Sequence, residues 1–382
     1  MKLLFFRNYF ILFFLLAVHI ASAQEACSDD IIMAVKGNWK KRPDATMTPG
    51  NQAQVTSRID KMQQLLQAAY PEPKGMEAGW YRSMGGYYSS VDKGSVSYEL
   101  NAMFYAWYCN IHVKKLLLGT EASNGFDIWA NKFKWFAEID NNFLVETKPV
   151  YLLTKQLGEL NGFPLYAGNN NGTSNTGTTF SKTILISRSG QLPYVPVSRK
   201  QYLLVFLKNK EDWQKKYVDG LIRMTVRSDA EEEVYKKQQI ERVVNQEQNE
   251  QAKEKARANF LRGYTTAKQR QQDDIARSEK AYRQDIKAAI DYLANTSGEE
   301  LAKAAYMKNT SYSSSFREFA KENEGMMMVQ VNSTYFNNKL PAYIPQFLIV
   351  YWHWNTEKPS IDFASHIENN FNFKALQAVL DK

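Results

Sequence analysis

Histidine and cysteine are scarce in this chain, with four and two residues among 382. Only His112, His353 and His366 lie beyond residue 23, together with Cys27 and Cys109. That shortage excludes the dense Cys/His spacings of structural zinc modules. Asp362 and His366 can share a helix face four residues apart. A catalytic zinc site needs three protein ligands, however, and no third lies in reach by sequence. No Gly-x-Ser-x-Gly elbow marks a hydrolase nucleophile. Residues 168–177, "GNNNGTSNTG", lack the terminal Lys-Ser/Thr of a phosphate loop. With no apolar residue to bury, this run reads as a loose hairpin connection. Neither a metal nor an organic cofactor is expected.

Long apolar runs are missing too, except near the start. Lys2 and Arg7 accompany the uncharged apolar residues 11–18, and Ala21-Ser22-Ala23 follows. This is the pattern of a secretory signal peptide over residues 1–23, cleaved after Ala23. The apolar run is shorter than the roughly 20 residues that span a bilayer. Gln24-Glu25-Ala26 before Cys27 lacks the apolar residue that a lipoprotein site wants. A periplasmic or secreted protein is expected, with no transmembrane anchor in the mature chain.

Strong charge of one sign is absent as well. The formal charge of +8 falls to +6 once Lys2 and Arg7 are removed, too weak a bias to argue for nucleic acid. In an exported chain the even cysteine count favours a Cys27–Cys109 disulfide. Closing a loop of that length stabilises by about 4 to 5 kcal/mol in the chain-entropy model. Bridged, Cys109 is inert as a nucleophile despite its neighbour His112.

What the chain has in quantity is aromatic residues, 13% of the total. They divide it into three regions. Residues 24–197 are aromatic-rich, with Gly and Pro punctuation. Residues 198–308 are almost free of Gly and Pro. Residues 309–382 return to aromatic, strand-like character before a terminal helix.

In the first region Val55, Ile59, Met62, Leu65 and Leu66 follow the spacing of one buried helix face, and Pro71 and Pro73 stop the helix. Residues 98–111 read as a strand apolar on both faces. Residues 126–140 alternate more cleanly, Phe133, Trp135, Ala137 and Ile139 against Lys132, Lys134, Glu138 and Asp140, as on a sheet with one wet face. Residues 151–154, 163–167 and 183–188 add short strands.

The second region opens at Ser198, with Gln201 three residues on, a capping box. From Asp229 to Asp291 thirteen acidic and thirteen basic residues cancel. Gly263 is the expected turn between two long helices. Ile275, Tyr282, Ile286, Ala289 and Leu293 form a heptad-like seam, which serves a partner within the chain or in a second copy equally well. Arg199, in the first helical turn, is misplaced for the helix dipole unless paired. In the third region residues 347–354 read as a central strand that returns to the first region's sheet. The fold class expected is α+β: a mostly antiparallel sheet with packed helices and a long inserted, coiled-coil-like helical hairpin.

Two sets of residues stand out as candidate sites. Glu138 and Asp140 share a strand face with Cα atoms about 6.8 Å apart, within the range of roughly 6.5 to 9.5 Å between the carboxylates of inverting glycosidases. Trp129 and Trp135 lie near them. A wet strand end explains the same acids more simply. Residues 79–88, "GWYRSMGGYY", set Trp80, Tyr81, Tyr87 and Tyr88 in a Gly/Ser-rich loop, where aromatic rings offer a platform to a glycan or peptide.

The runs "YPEPKGMEAGWYR", "YCN" and "LPYVPVSRKQYL" together resemble an uncharacterised family of exported bacterial proteins. The resemblance implies export and a shared fold, and it carries no activity or catalytic residue. The expected function is a non-catalytic binding or cell-envelope interaction module, with an envelope protein, peptide or glycan as partner. The alternatives are a glycan-directed hydrolase using Glu138 and Asp140, and a homo-oligomeric scaffold built by the hairpin.

Overall fold

The computed structural model describes residues 28–45, 52–84, 95–110, 112–113, 115–133, 137–168, 171–174, 177–214, 216, 229–308 and 313–382. Its helices are α1 (Asp29–Ala34), α2 (Gln52–Ala69), α3 (Arg199–Trp213), α4 (Asp229–Val244), α5 (Glu250–Asn295), α6 (Gly298–Ala302), α7 (Lys358–Asn370) and α8 (Phe373–Gln377). The strands of the first half are β1 (Trp39–Lys41), β2 (Met76–Met84), β3 (Tyr98–Asn110), β4 (Lys115–Leu118), β5 (Asn124–Ala130), β6 (Ala137–Val145) and β7 (Lys148–Leu153). They continue with β8 (Gln156–Leu160), β9 (Phe163–Ala167), β10 (Gly172–Ser174), β11 (Gly177–Ile186), β12 (Tyr194–Pro196), β13 (Tyr306–Met307), β14 (Met326–Val331) and β15 (Leu348–Asn355). The fold is α+β.

The chain packs as two units. One holds the described residues of Met1–Ile139, Tyr151–Pro196 and Glu322–Lys382, and the other holds those of Asp140–Val150 and Val197–Lys321.

The first unit is built on a ten-stranded sheet ordered β1-β2-β3-β5-β15-β11-β9-β8, with β4 and β10 paired at its sides. All of these pairs are antiparallel except β1 with β2. The C-terminal strand β15 lies between β5 and β11, which explains why it is apolar on both faces. One sheet face carries Leu100, Phe104, Phe126, Ile128, Val350 and Trp352, fully buried with α2 and α7. Helix α2 meets it through Val55, Ile59, Met62, Leu66 and Ala69, at the expected spacing. The exposed edges are short or irregular: β1 has three residues and carries Lys40 and Lys41, and β8 shifts register between Gln156 and Gly158. Both devices discourage edge-to-edge pairing.

Three expectations change here. The single strand foreseen over residues 126–140 is two, because β5 ends at Ala130 and the backbone of the next residue, Asn131, is left-handed (φ 56°). Its buried side chain holds that conformation: Nδ2 donates to the carbonyls of Val96 and Ile344, and Oδ1 accepts from the Gln346 amide. The alternation therefore breaks. Lys132, expected on a wet face, is only 2% exposed, with its ammonium 4.5 Å from the centre of the Trp129 ring. The glycine-rich connection is not wholly loose either: β10 pairs with β11, and Asn171 Oδ1 accepts from the Ser181 amide at 2.5 Å.

In the second unit the capping box at Ser198 is formed, its hydroxyl accepting from the Gln201 amide while Gln201 Oε1 accepts from the Ser198 amide. Arg199 is paired, donating to the Tyr292 hydroxyl at 3.0 Å and forming an ion pair with Glu300. Tyr202 and Phe206 of α3 pack with Phe143, Phe316 and Phe319. Helices α4 and α5 form the antiparallel hairpin, with Lys268 on Glu232 and Tyr264 against Tyr235. The turn is not at Gly263. That residue lies inside the 46-residue α5, and the chain reverses at residues 245–249, where the Asn249 side chain accepts from the Ala252 amide. One glycine among strong helix formers costs about 1 kcal/mol and does not end a helix, whereas a capping asparagine starts one. The foreseen seam is half-buried to buried, and both α3 and α4 pack on α5.

Candidate functional site

The expected site residues are scattered. Glu138 and Asp140 lie on β6, with side chains outside the described residues, and Trp135, Tyr87 and Tyr88 also fall outside them. Trp80 and Tyr81 are not in a loop: they are consecutive residues of β2 and therefore point to opposite faces. Trp80 packs against the buried core, while Tyr81 faces the other way. Trp129, offered as a sugar platform, is 7% exposed and belongs to a second apolar cluster with Phe133, Tyr166 and Phe347. Cys109 is at the end of β3, and Cys27 lies outside the described residues. His366 Nδ1 sits 3.4 Å from Asp362 Oδ2, which already accepts from the Tyr70 hydroxyl. No group of three metal-ligating side chains occurs among the described residues.

What the tertiary structure assembles instead is a polar cluster on the second face of the ten-stranded sheet. Strand register places residues of four strands side by side. Tyr81, Asn101, Asp127 and Tyr351 form one row, and Gly79, Met103, Gly125 and His353 form the next. Ser83, Glu99, Trp129 and Ile349 form the row on the other side. Cross-strand neighbours share a face, so these side chains project together.

Two carboxylates make the floor, Glu99 at 7% and Asp127 at 5% exposed. Half-buried Tyr81, Asn101, Tyr105 and His353 stand around them. Asn101 Nδ2 donates to Asp127 Oδ1 at 2.5 Å, and the Tyr105 hydroxyl donates to the Met103 sulfur at 3.4 Å. Two glycines let neighbouring side chains lie down on the sheet. A Cβ at Gly125 would lie 2.4 Å from the His353 ring, and one at Gly79 would lie 2.4 Å from the Arg42 side chain. Arg42 in turn places its guanidinium 4.4 Å from the centre of the Tyr105 ring.

The protonation states follow from burial. Burial, assisted by the negative charges of Glu99 and Asp127, pushes the Tyr81 phenol up to about 12, so it remains a hydrogen-bond donor at neutral pH. Burial pushes His353 down to about 4, so its ring is neutral there. The cluster thus gathers two acidic side chains, two phenols, a carboxamide and a neutral imidazole, with the Arg42 guanidinium on the Tyr105 ring and the Lys132 ammonium on the ring of Trp129, the neighbour of Glu99.

Sequence reasoning passed over these residues because each strand was read for its apolar content. The available signal was polar residues at alternate positions inside otherwise apolar strands: Glu99 and Asn101 in "YELNAMFY", and Asp127 in "GFDIWA". Their convergence depends on register between strands far apart in sequence.

No family model, no curated protein and no solved structure matches this chain. Among the described residues no helix is long and apolar enough to cross a membrane.

Proposed function

We propose that the protein is an exported, non-catalytic binding module whose polar sheet face takes a small amine-bearing solute. The observation that supports this reading is the pair of buried carboxylates, Glu99 and Asp127, on a sheet face with half-exposed phenols beside them. An ammonium group complements acidic side chains in charge and offers them hydrogen-bond donors, and phenol rings add a face attractive to cations.

Export rests on the leader pattern of residues 1–23 and on the resemblance to an exported bacterial family. It predicts a mature chain beginning at Gln24, readable by N-terminal sequencing. The Cys27–Cys109 bridge belongs to the same reading: labelling of both thiols in oxidised native protein would sink it.

The binding test is calorimetric titration of the mature protein with small amines (spermidine, arginine amide, choline) and with acids of similar size. Amines should bind the wild type, and Glu99→Gln and Asp127→Asn should each weaken them at least tenfold. Equal amine affinity in wild type and both variants, or a preference for the acids, overturns the reading.

A further inference from the structure

A second site lies at the end of the same sheet, on the side of α7 and α8. A cleft of about 970 Å³ opens there, walled by the β8–β9 turn, the loop of residues 187–192, and the corner between α7 and α8. Its size falls near the top of the range of roughly 300 to 1,000 Å³ for small-molecule sites. No residue of the Glu99 and Asp127 cluster lines it.

Each wall is held in place. Asn161 and Gly162 have positive φ angles of 55° and 83°, which make the tight reversal between the paired residues Leu160 and Phe163. The loop is anchored by Arg188, which donates from Nε and Nη2 to the two Asp381 oxygens at 2.6 Å each and from Nη2 to Gln346 Oε1 at 2.9 Å. It also donates to the Tyr335 carbonyl and lies 4.5 Å over that ring. Arg188 is thus committed to the fold. At the corner the Asn372 oxygen accepts from the Ala375 amide, while Gln377 Nε2 donates to the Ser187 carbonyl at 2.8 Å.

Six side-chain amides line this cleft: Asn161, Gln191, Asn369, Asn370, Asn372 and Gln377. The fold uses the oxygen of Asn372 and an N–H of each of Gln377, Asn369 (to the Ser365 hydroxyl at 3.1 Å) and Asn370 (to the Ala69 carbonyl at 3.4 Å), which leaves donors on Asn372 and acceptor oxygens on the other three. Charge is nearly balanced, since Asp381 matches Arg188 and Glu159 opposes Lys374 at the rim. The rings beneath are sealed: Phe163, Phe371 and Phe373 are 6%, 2% and 1% exposed.

We infer that the cleft binds a neutral oligosaccharide. A carboxamide both donates and accepts, as does each sugar hydroxyl, so a row of amides matches a row of vicinal hydroxyls. A phosphate-bearing ligand would seek uncompensated cations, and the balanced charge leaves none in excess. A peptide held by its side chains would need open apolar pockets, and the phenylalanines do not provide them.

The test titrates the full mature chain with cellohexaose, laminarihexaose, xylohexaose and mannohexaose. Hexagalacturonate and a polar hexapeptide serve as comparators. The variant combines Asn161→Gly, Gln191→Ala and Asn369→Ala, which remove amides from the surface while glycine preserves the left-handed turn. At least one neutral hexaose should bind, with affinity reduced tenfold or more in the triple variant and unchanged in Glu99→Gln. The inference is overturned if no neutral hexaose binds at millimolar concentration. It is also overturned if the triple variant, with unaltered melting temperature, binds as wild type does, or if the anionic sugar or the peptide is preferred.

Discussion

The two units of this protein are held together by different physics. The sheet unit encloses an aromatic and aliphatic core in which Phe104, Phe126, Ile128, Val350 and Trp352 are fully buried. The helical unit has an aromatic cluster around Tyr202 and Phe206, but beside it lies a buried ion pair. Lys210 Nζ donates to Asp285 Oδ2 at 3.0 Å, and Arg317 reaches the other oxygen of the same carboxylate. Most of α5 is exposed and laced with short-range ion pairs such as Lys253–Glu250 and Lys287–Asp291. Nonspecific apolar burial supplies the first unit, whereas the second depends on each polar group keeping its partner. A core tolerates conservative apolar exchange, but a buried charge tolerates no loss of its counter-ion.

The largest expected effects set these two modes side by side. Phe104→Ala should destabilise the sheet unit by about 3 to 5 kcal/mol through transfer and cavity costs. Asp285→Ala should cost the helical unit a similar amount, roughly 3 to 5 kcal/mol, by leaving the Lys210 charge buried without it. The double variant Lys210→Met/Asp285→Leu separates the mechanisms. It should be more stable than Asp285→Ala alone, because the buried Lys210 charge is gone and the remaining cation, Arg317, is half-exposed to water. Guanidinium unfolding of the three variants measures this, and a double variant less stable than the single would refute an electrostatic origin.

The next effect belongs to the polar face of the sheet. Burial lowers the His353 pKa from 6.5 to about 4, so between those values the unfolded chain binds the proton more readily than the folded one. Stability from this residue is complete above pH 6.5 and declines as pH falls towards 4. Melting temperatures across that window should drop more steeply in wild type than in His353→Gln. Identical pH slopes would mean that His353 does not sit buried and neutral over Gly125.

The smallest effect tests the start of the helical unit. Ser198→Ala removes the hydroxyl that accepts from the Gln201 amide and should cost about 1 kcal/mol, seen as a modest fall in melting temperature. A change of 3 kcal/mol or more would show that the junction does more than cap a helix.

Local patterns were readable in advance wherever the information is local. The α2 stripe, the capping box at Ser198 and the apolar run of β15 all reside within a few consecutive residues, where spacing reports burial directly. The α4–α5 turn was misread because a lone glycine was given more weight than the capping residue Asn249. The strand break at Asn131 was not foreseen, since the hydrogen bonds that hold its left-handed backbone come from Val96, Ile344 and Gln346.

By itself the amino-acid sequence determined the α+β class, the charged helical hairpin and the shortage of metal-binding and nucleophilic residues. Only the tertiary structure decided which polar residues meet. Glu99, Asp127, Tyr81 and His353 come from four strands up to about 270 residues apart, brought together by sheet register. Asn161, Gln191 and Asn369 meet because two turns and a helix corner end at one place. Local propensity acts over one or two turns of chain, whereas register and packing are settled only when the apolar face of the whole sheet is buried at once.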